Sequence, residues 1–165
     1  MSYPYRGLKE GTEDHLNVAC ADVIVECAGH VLTITRGHSP GKGAKAWPGG
    51  HKQAWETYID CGFRELSEET NLRVGERTLR KSIVATHLFD HPARNIGSVS
   101  RHSYGIYVKI DPREDGTLPI VRGGDDAANP HLPNGGAGWT KKDLILSGKV
   151  KMHDDHSDML AFFHR

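Results

Sequence analysis

Three glutamates crowd one end of the stretch GHKQAWETYIDCGFRELSEETNL, residues 50–72. Glu65, Glu68 and Glu69 fall near the C-terminus of a predicted helix, where the macrodipole is negative and anions are disfavoured. Glu65–Glu68 and Glu65–Glu69 are like-charge pairs at i,i+3 and i,i+4, and each costs an isolated helix roughly 0.2–0.5 kcal/mol. Arg64 reaches Glu68 only with the base N-terminal to the acid, the weaker orientation. Local physics opposes the arrangement, so something absent from the sequence is expected to compensate it. Other clusters promise less. GKG at 41–43 lacks the GxxxxGK[ST] spacing of a phosphate-binding loop and reads as a turn. His153 and His156 stand at i,i+3, but with no third ligand evident they read as solvated or packed histidines before a transition-metal pair.

The elements that must position these groups are legible in outline. Val18–Glu26 and His30–Arg36 are β-rich runs joined by Cys-Ala-Gly, which predicts a hairpin. HSPGKGAK is a loop, followed by a short strand ending at WPGG. Residues 57–70 are a helix with Thr57 as N-cap and Asp60 completing an imperfect capping box. On it Ile59, Phe63 and Leu66 share one face and the three glutamates another. Asn71 stands where a left-handed residue ends a helix. Lys81–Phe89, His102–Ile110 and the short Leu118–Val121 are predicted strands, GWTKKDLIL a strand and turn, and His156–Phe163 a closing helix. The loops DHPARNIGSVSR and RGGDDAANPHLPNGGAG are long enough to be functional. Strands and helices mix without regular alternation, so the fold class is α/β or α+β with a mixed sheet.

Composition sets the outer bounds. The 165 residues suit one domain, 1–165, with an adequate core. Lys+Arg and Asp+Glu both number 21, which announces neither a nucleic-acid nor a membrane partner. The first residues lack the apolar region of a leader, and no run approaches transmembrane length. Cys20, Cys27 and Cys61 show no CxxC spacing and read as the reduced thiols of a cytoplasmic protein.

Read as spacing, residues 50–72 give G-x5-E-x7-R-E-L-x-E-E-x-x-L, through Gly50, Glu56, Arg64, Glu65, Leu66, Glu68, Glu69 and Leu72. This closely resembles the signature of the Nudix hydrolases, G-x5-E-x7-R-E-U-x-E-E-x-G-U with U apolar; Asn71 replaces the last glycine. Each fixed polar or glycine position is matched by chance at roughly 5–7%, so six matches come to about 10⁻⁷ to 10⁻⁸ per starting position. The resemblance implies a mixed sheet sandwiched between helices, with the acidic helix face holding Mg²⁺, or Mn²⁺ as a substitute. Hard oxygen donors without His or Cys suit those cations. Residue by residue, it implies Glu65, Glu68 and Glu69 as metal ligands and Gly49 as a carbonyl ligand. It implies Glu56 and Arg64 as the pair that orients the glutamates.

SPGKGAKAWPGG, SIVATHLFDHPAR, RHSYGIYVKI, VRGGDDA and HDDH resemble, over most of 18–160, a subgroup of that family. It comprises ADP-ribose pyrophosphatase domains fused to nicotinamide mononucleotide adenylyltransferases. Here the hydrolase would stand without the adenylyltransferase half. The resemblance implies cleavage of ADP-ribose to AMP and ribose 5-phosphate, on a scaffold whose relatives commonly form dimers. In this reading Arg36, Arg94 and Arg101 contact phosphate or ribose, and Phe89 and His102 border the substrate. Phe89 and Trp47 are candidates to stack on adenine, with core packing the plainer reading of either. Asp125 and Asp126 offer a general base on a loop whose glycines permit closure; an Asx turn is the plainer reading, and Glu69 is the alternative base. Two rivals stand beside this one. The same chemistry on NADH or another nucleoside diphosphate derivative is the first, and an ADP-ribose-sensing module the second. The intact glutamate set favours an enzyme over a sensor.

Overall fold

The computed structural model describes residues 16–97, 99–124 and 131–165. Strands β1 (Leu16–Cys27) and β2 (His30–Thr35) form the expected hairpin. Its turn is Ala28-Gly29, at φ 46° and 74°, the pair of positive values that matches the twist of paired strands. Two short strands follow, β3 (Lys45–Ala46) and β4 (Gly49–His51), on either side of Trp47-Pro48. Helix α1 (Tyr58–Thr70) begins with the full capping box: Thr57 accepts from Asp60 N–H and Asp60 accepts from Thr57 N–H. It ends on Asn71 in the left-handed region, at φ 45° and ψ 36°.

A second helix, α2 (Glu76–Lys81), lies between the two predicted elements, over residues to which the sequence assigns no structure except Lys81, the expected first residue of a strand. Six residues are too few to show a helical period; what holds them is local, since Arg80 pairs with Glu76 at 2.7 Å one turn away. Strand β5 (Ile83–Phe89) therefore starts later than expected. A 3₁₀ turn at Pro92–Arg94 leads to β6 (Val99–Lys109), then β7 (Ala137–Lys141), α3 (Lys142–Leu146) and α4 (His156–Phe163). The predicted strand Leu118–Val121 is not one. Pro119 cannot donate to a ladder, and the segment is used instead to bury Val121 against the core.

Among the described residues one mixed sheet runs β3-β2-β1-β6-β5, with β4 pairing β1 and β7 pairing β2. β1 is the hub. It runs parallel to β6 from Leu16↔Val99 to Glu26↔Lys109, while its other edge is shared. The C-terminal end of that edge takes β2 and the middle takes β4, in the register Cys20↔His51 and Asp22↔Gly49. Alternation along the strands sends side chains to two cores. Val23, Val25, Leu32, Ile106 and Val108 pack with Phe63 and Leu66 of α1 and Leu79 of α2. Ile24, Val31 and Tyr107 pack with Trp47, Ile145, Met159 and Leu160 on the α3–α4 side. The result is the expected helix–sheet–helix sandwich. Gly62 lets α1 lie close to the sheet, since a Cβ there would come within 2.6 Å of Ile106 and 2.9 Å of Val23.

Trp47 ties the β3–β4 connection to α4. Its backbone N–H donates to His156 Nδ1 at 2.9 Å, and its indole N–H donates to His156 O at 2.9 Å. The two rings lie parallel, with centroids 6.3 Å apart. Burial, reinforced by nearby His153, pushes the His156 imidazole down from 6.5 to about 3. The unfolded chain thus takes up a proton on His156 that the native state refuses, so stability contributed by this site is present above pH 6.5 and is lost on acidification toward about 3. In urea denaturation from pH 7.5 to 3.5, the stability of wild type relative to a His156→Asn variant should fall steadily with pH. Parallel profiles would show that the native imidazole titrates normally.

Candidate active site

The acidic end of α1 is held together by one guanidinium. Arg64 Nε donates to Glu56 Oε1, and its Nη2 donates to Glu56 Oε2 and to His51 O, both at 3.1 Å. Its Nη1 donates to Glu65 at 2.7 Å and to Glu68 at 3.1 Å. Glu56 also accepts from Gln53 N–H at 2.9 Å. The Arg64 hydrogen bonds hold the Glu56 carboxyl below its usual range, and Glu56 and then Glu65 raise the arginine. The compensation demanded by the like-charge pairs thus comes first from within the chain. The orientation that is weaker for an isolated helix is outweighed, because each charge-assisted bond is worth about 1.5–3 kcal/mol against roughly 0.2–0.5 kcal/mol for each repulsive pair.

The remaining acid turns inward. Glu69 is buried, and its Oε2 accepts from Gly49 N–H at 3.2 Å. The Glu65 carboxylate lies against Gly50, where a Cβ would meet it at 2.5 Å, so the glycine leaves a cradle that carboxylate fills. Glu68 stays half exposed. The last helical carbonyls are closed by the incoming chain: Arg122 N–H donates to Thr70 O at 2.7 Å and Gly124 N–H to Glu69 O at 3.0 Å. A Cβ on Gly124 would overlap Glu68 O at 1.4 Å, so only glycine passes there. Among the described residues no three His, Cys, Asp or Glu side chains gather closely enough to hold a metal ion. Glu65, Glu68 and Glu69 are instead spread between Arg64 and Gly49. Glu65, Glu68 and Glu69 still bring hard carboxylate oxygens to one end of α1, the donors that suit a divalent cation such as Mg²⁺.

Next to Glu69 opens a cavity of about 260 Å³. Gly49, Gly50 and His51 line it, Arg36, Arg94 and Arg101 bring three cations, Asp22 and Asp154 bring acids, and Cys20, His153 and His156 also line it. Arg36 Nε donates to Pro40 O at 2.9 Å. Arg94 is pinned by Asp155, which accepts from its Nη1 at 2.6 and 2.8 Å, leaving Nε buried without a partner among the described residues. Asp22 is buried and accepts from Ser103; burial raises its carboxyl above the usual range. Burial, and then Asp22, push the Cys20 thiol up to about 11.

The cavity therefore gathers Gly49, Glu69, Arg36, Arg94 and Arg101 of the residues expected from sequence. Two others stand elsewhere. His102 neighbours Arg101 on β6 and so faces the opposite side of the sheet, where it meets the Tyr58 hydroxyl at 2.8 Å. Phe89 packs among His87, Phe162 and Phe163, which is the core role. Asp125 and Asp126 lie outside the described residues. Asp22, Asp155 and His156 were not singled out as site residues. Asp22 carried a signal, since aspartate is depleted in strands and this one interrupts the apolar run VACADVIVE.

No family model matches the chain. Solved structures do. A bifunctional NMN adenylyltransferase/ADP ribose pyrophosphatase from Francisella tularensis, complexed with AMP and a manganese ion, superposes with a TM-score of 0.77 at 23% identity. The match covers 93% of this chain and 42% of that one, so the chain spans less than half the length of the Francisella protein. A MutT/nudix family protein from Enterococcus faecalis gives 0.65 at 21% identity, over 94% of this chain and 64% of that one. One from Listeria innocua gives 0.56 at 26% identity, over 89% and 92%. The fold is that of the Nudix hydrolases, and the resemblance carried by residues 50–72 is matched by these neighbours.

Removing Arg64 leaves Glu56, Glu65 and Glu68 facing one another without their shared donor. Arg64→Ala should lower the free energy of unfolding by about 1–3 kcal/mol in urea with EDTA present. An equally stable variant would mean that the fork adds nothing net to the fold.

Proposed function

We infer that the chain is a metal-dependent Nudix hydrolase that cleaves the diphosphate of ADP-ribose to AMP and ribose 5-phosphate. The observation that carries this is the adjacency of two opposite fields. Glu65 and Glu68, held by Arg64, lead along α1 to Glu69, which lines a cavity that presents three arginines. The Francisella neighbour, whose structure contains AMP and manganese, supports the choice of substrate and cation.

Glu65, Glu68, Glu69 and the Gly49 carbonyl would hold Mg²⁺ or Mn²⁺. When bound, the cation neutralises developing charge on the phosphoryl oxygens and lowers the pKa of the attacking water. Arg36, Arg94 and Arg101 bind diphosphate oxygens, for which guanidinium geometry suits. Arg64 and Glu56 keep the carboxylates oriented. Water adds to phosphorus, the bridging P–O bond breaks, and the proton of the water passes to a carboxylate. Asp125 or Asp126 serves as that base. Support comes from the chain leading into them, since Gly124 is hydrogen-bonded to Glu69 O at the acidic end of α1. Localisation in the cytoplasm and action without nucleic acid or membrane belong to the same proposal; among the described residues no helix is long and apolar enough to cross a membrane.

In a panel of ADP-ribose, NADH, dinucleoside polyphosphates and nucleoside triphosphates, ADP-ribose should give the highest kcat/KM with Mg²⁺ and none of the substrates should react in EDTA. A preference for NADH or a triphosphate would replace the substrate; binding of ADP-ribose without turnover would make the chain a sensor.

Glu68→Gln and Glu69→Gln should each lower kcat by at least about 10²-fold, the scale of losing one preorganised charged group. Near-native turnover in both would remove the metal-site reading.

A further inference from the structure

His156 is buried, yet its chemistry is not used up by packing. Its Nδ1 accepts the Trp47 backbone N–H, which fixes the proton of the neutral ring on Nε2. Nε2 makes no hydrogen bond to any described residue. Arg94 Nε is likewise without a partner among the described residues. His156 is one of the residues that line the cavity. Its neighbour in the chain, Asp155, holds Arg94 in the same cavity. Two adjacent residues at the start of α4 thus reach one cavity, Asp155 through its hold on Arg94 and His156 through its own ring, and His156 Nε2 has no acceptor among the described residues.

We propose that His156 is a substrate-binding residue whose Nε2–H, fixed in one tautomer by the Trp47 backbone, donates to a phosphoryl oxygen of the ligand beside Arg94. The acceptor must be an oxygen with lone pairs, and the three arginines around the cavity make an anionic one the favoured occupant. Because the ring stays neutral, it adds a directed hydrogen bond without a fourth cation to desolvate. The choice of a phosphoryl oxygen rests on the hydrolase reading; the tautomer and the open donor do not.

Two variants separate the edges of the ring. His156→Asn retains an acceptor for Trp47 N–H and removes the distal donor. His156→Gln reaches to the Nε2 position with an amide N–H and gives up the Nδ1 acceptor. With Mg²⁺ and ADP-ribose, the asparagine variant should raise KM about tenfold with kcat little changed, one hydrogen bond's worth of binding. The glutamine variant should restore KM while melting at a lower temperature at pH 7.5. In histidine-¹⁵N-labelled protein with Mg²⁺, the His156 Nε2–H resonance should move on adding AMP or inorganic phosphate, and stay in place with adenosine. A response to adenosine alone would reassign the donor to the nucleoside and overturn the phosphoryl contact. Normal KM in the asparagine variant with an unmoved Nε2–H resonance would make His156 a packing residue, while wild-type hydrolysis left the functional reading standing. Phosphate-dependent movement without hydrolysis of any diphosphate would do the reverse.

Discussion

Arg64 is the constraint on which the acidic end of α1 depends. A helix that gathers acids at its negative pole is unstable unless something positive enters the cluster. The guanidinium is the side chain able to serve several carboxylates at once, because its five donors fan out in one plane. Here it spans from Glu56, before the helix, to Glu68, four residues beyond Arg64, and also holds His51 O. That last contact fixes β4 to α1. The strand that presents Gly49 and Gly50 is thereby held at the level of Glu65 and Glu69, and a lysine could not span the same set. The acids need no cation merely to coexist in the folded chain. A bound cation would instead redistribute an arrangement that the arginine already keeps in place.

The divided edge of β1 explains why the cavity exists where it does. β2 pairs with the C-terminal end of β1, and β4 takes over at Asp22↔Gly49. The segment between β2 and β4 must therefore loop away and return, and it brings Arg36 and Trp47 to the gap. On the opposite edge, β6 runs parallel and contributes Arg101 and Ser103 to the same face as Asp22. Adjacent His102 is sent to the α1 side by the two-residue period of a strand.

Much of this was legible in the residues and some of it was not, for separable reasons. Helix α1, its capping box and its left-handed Asn71 follow from local rules, and so does α4, whose boundaries coincide with the sequence reading. The hairpin turn is equally local. Helix α2 was missed because six residues show no period, and Leu118–Val121 was misread because an apolar run beside a proline can be buried without pairing. Strand register is a long-range property, so neither Asp22 facing Gly49 nor the parallel match of β1 to β6 can be read along the chain. His156 escaped for the same reason. Spacing placed it beside His153, but its role comes from a backbone donor 109 residues away.

Equal totals of 21 basic and 21 acidic residues conceal a sharp local separation. Glu65, Glu68 and Glu69 gather on α1 around Arg64, while Arg36, Arg94 and Arg101 line the neighbouring cavity with Asp22 and Asp154, and Glu69 belongs to both. A ligand that carries phosphate on a metal ion needs both fields, since the cation is drawn to one side and the anionic oxygens to the other. The donors on the arginine side are also restrained before any ligand arrives: Arg36 by Pro40 O, Arg94 by Asp155 and His156 by Trp47 N–H. Each anchored side chain loses less rotamer freedom on binding than a free one, by about 0.5–1.5 kcal/mol. The hydrogen bonds that occupy these groups therefore also restrain them. Among the described residues they leave His156 Nε2 without an acceptor beside three guanidinium groups, a donor set that an anionic oxygen would complete.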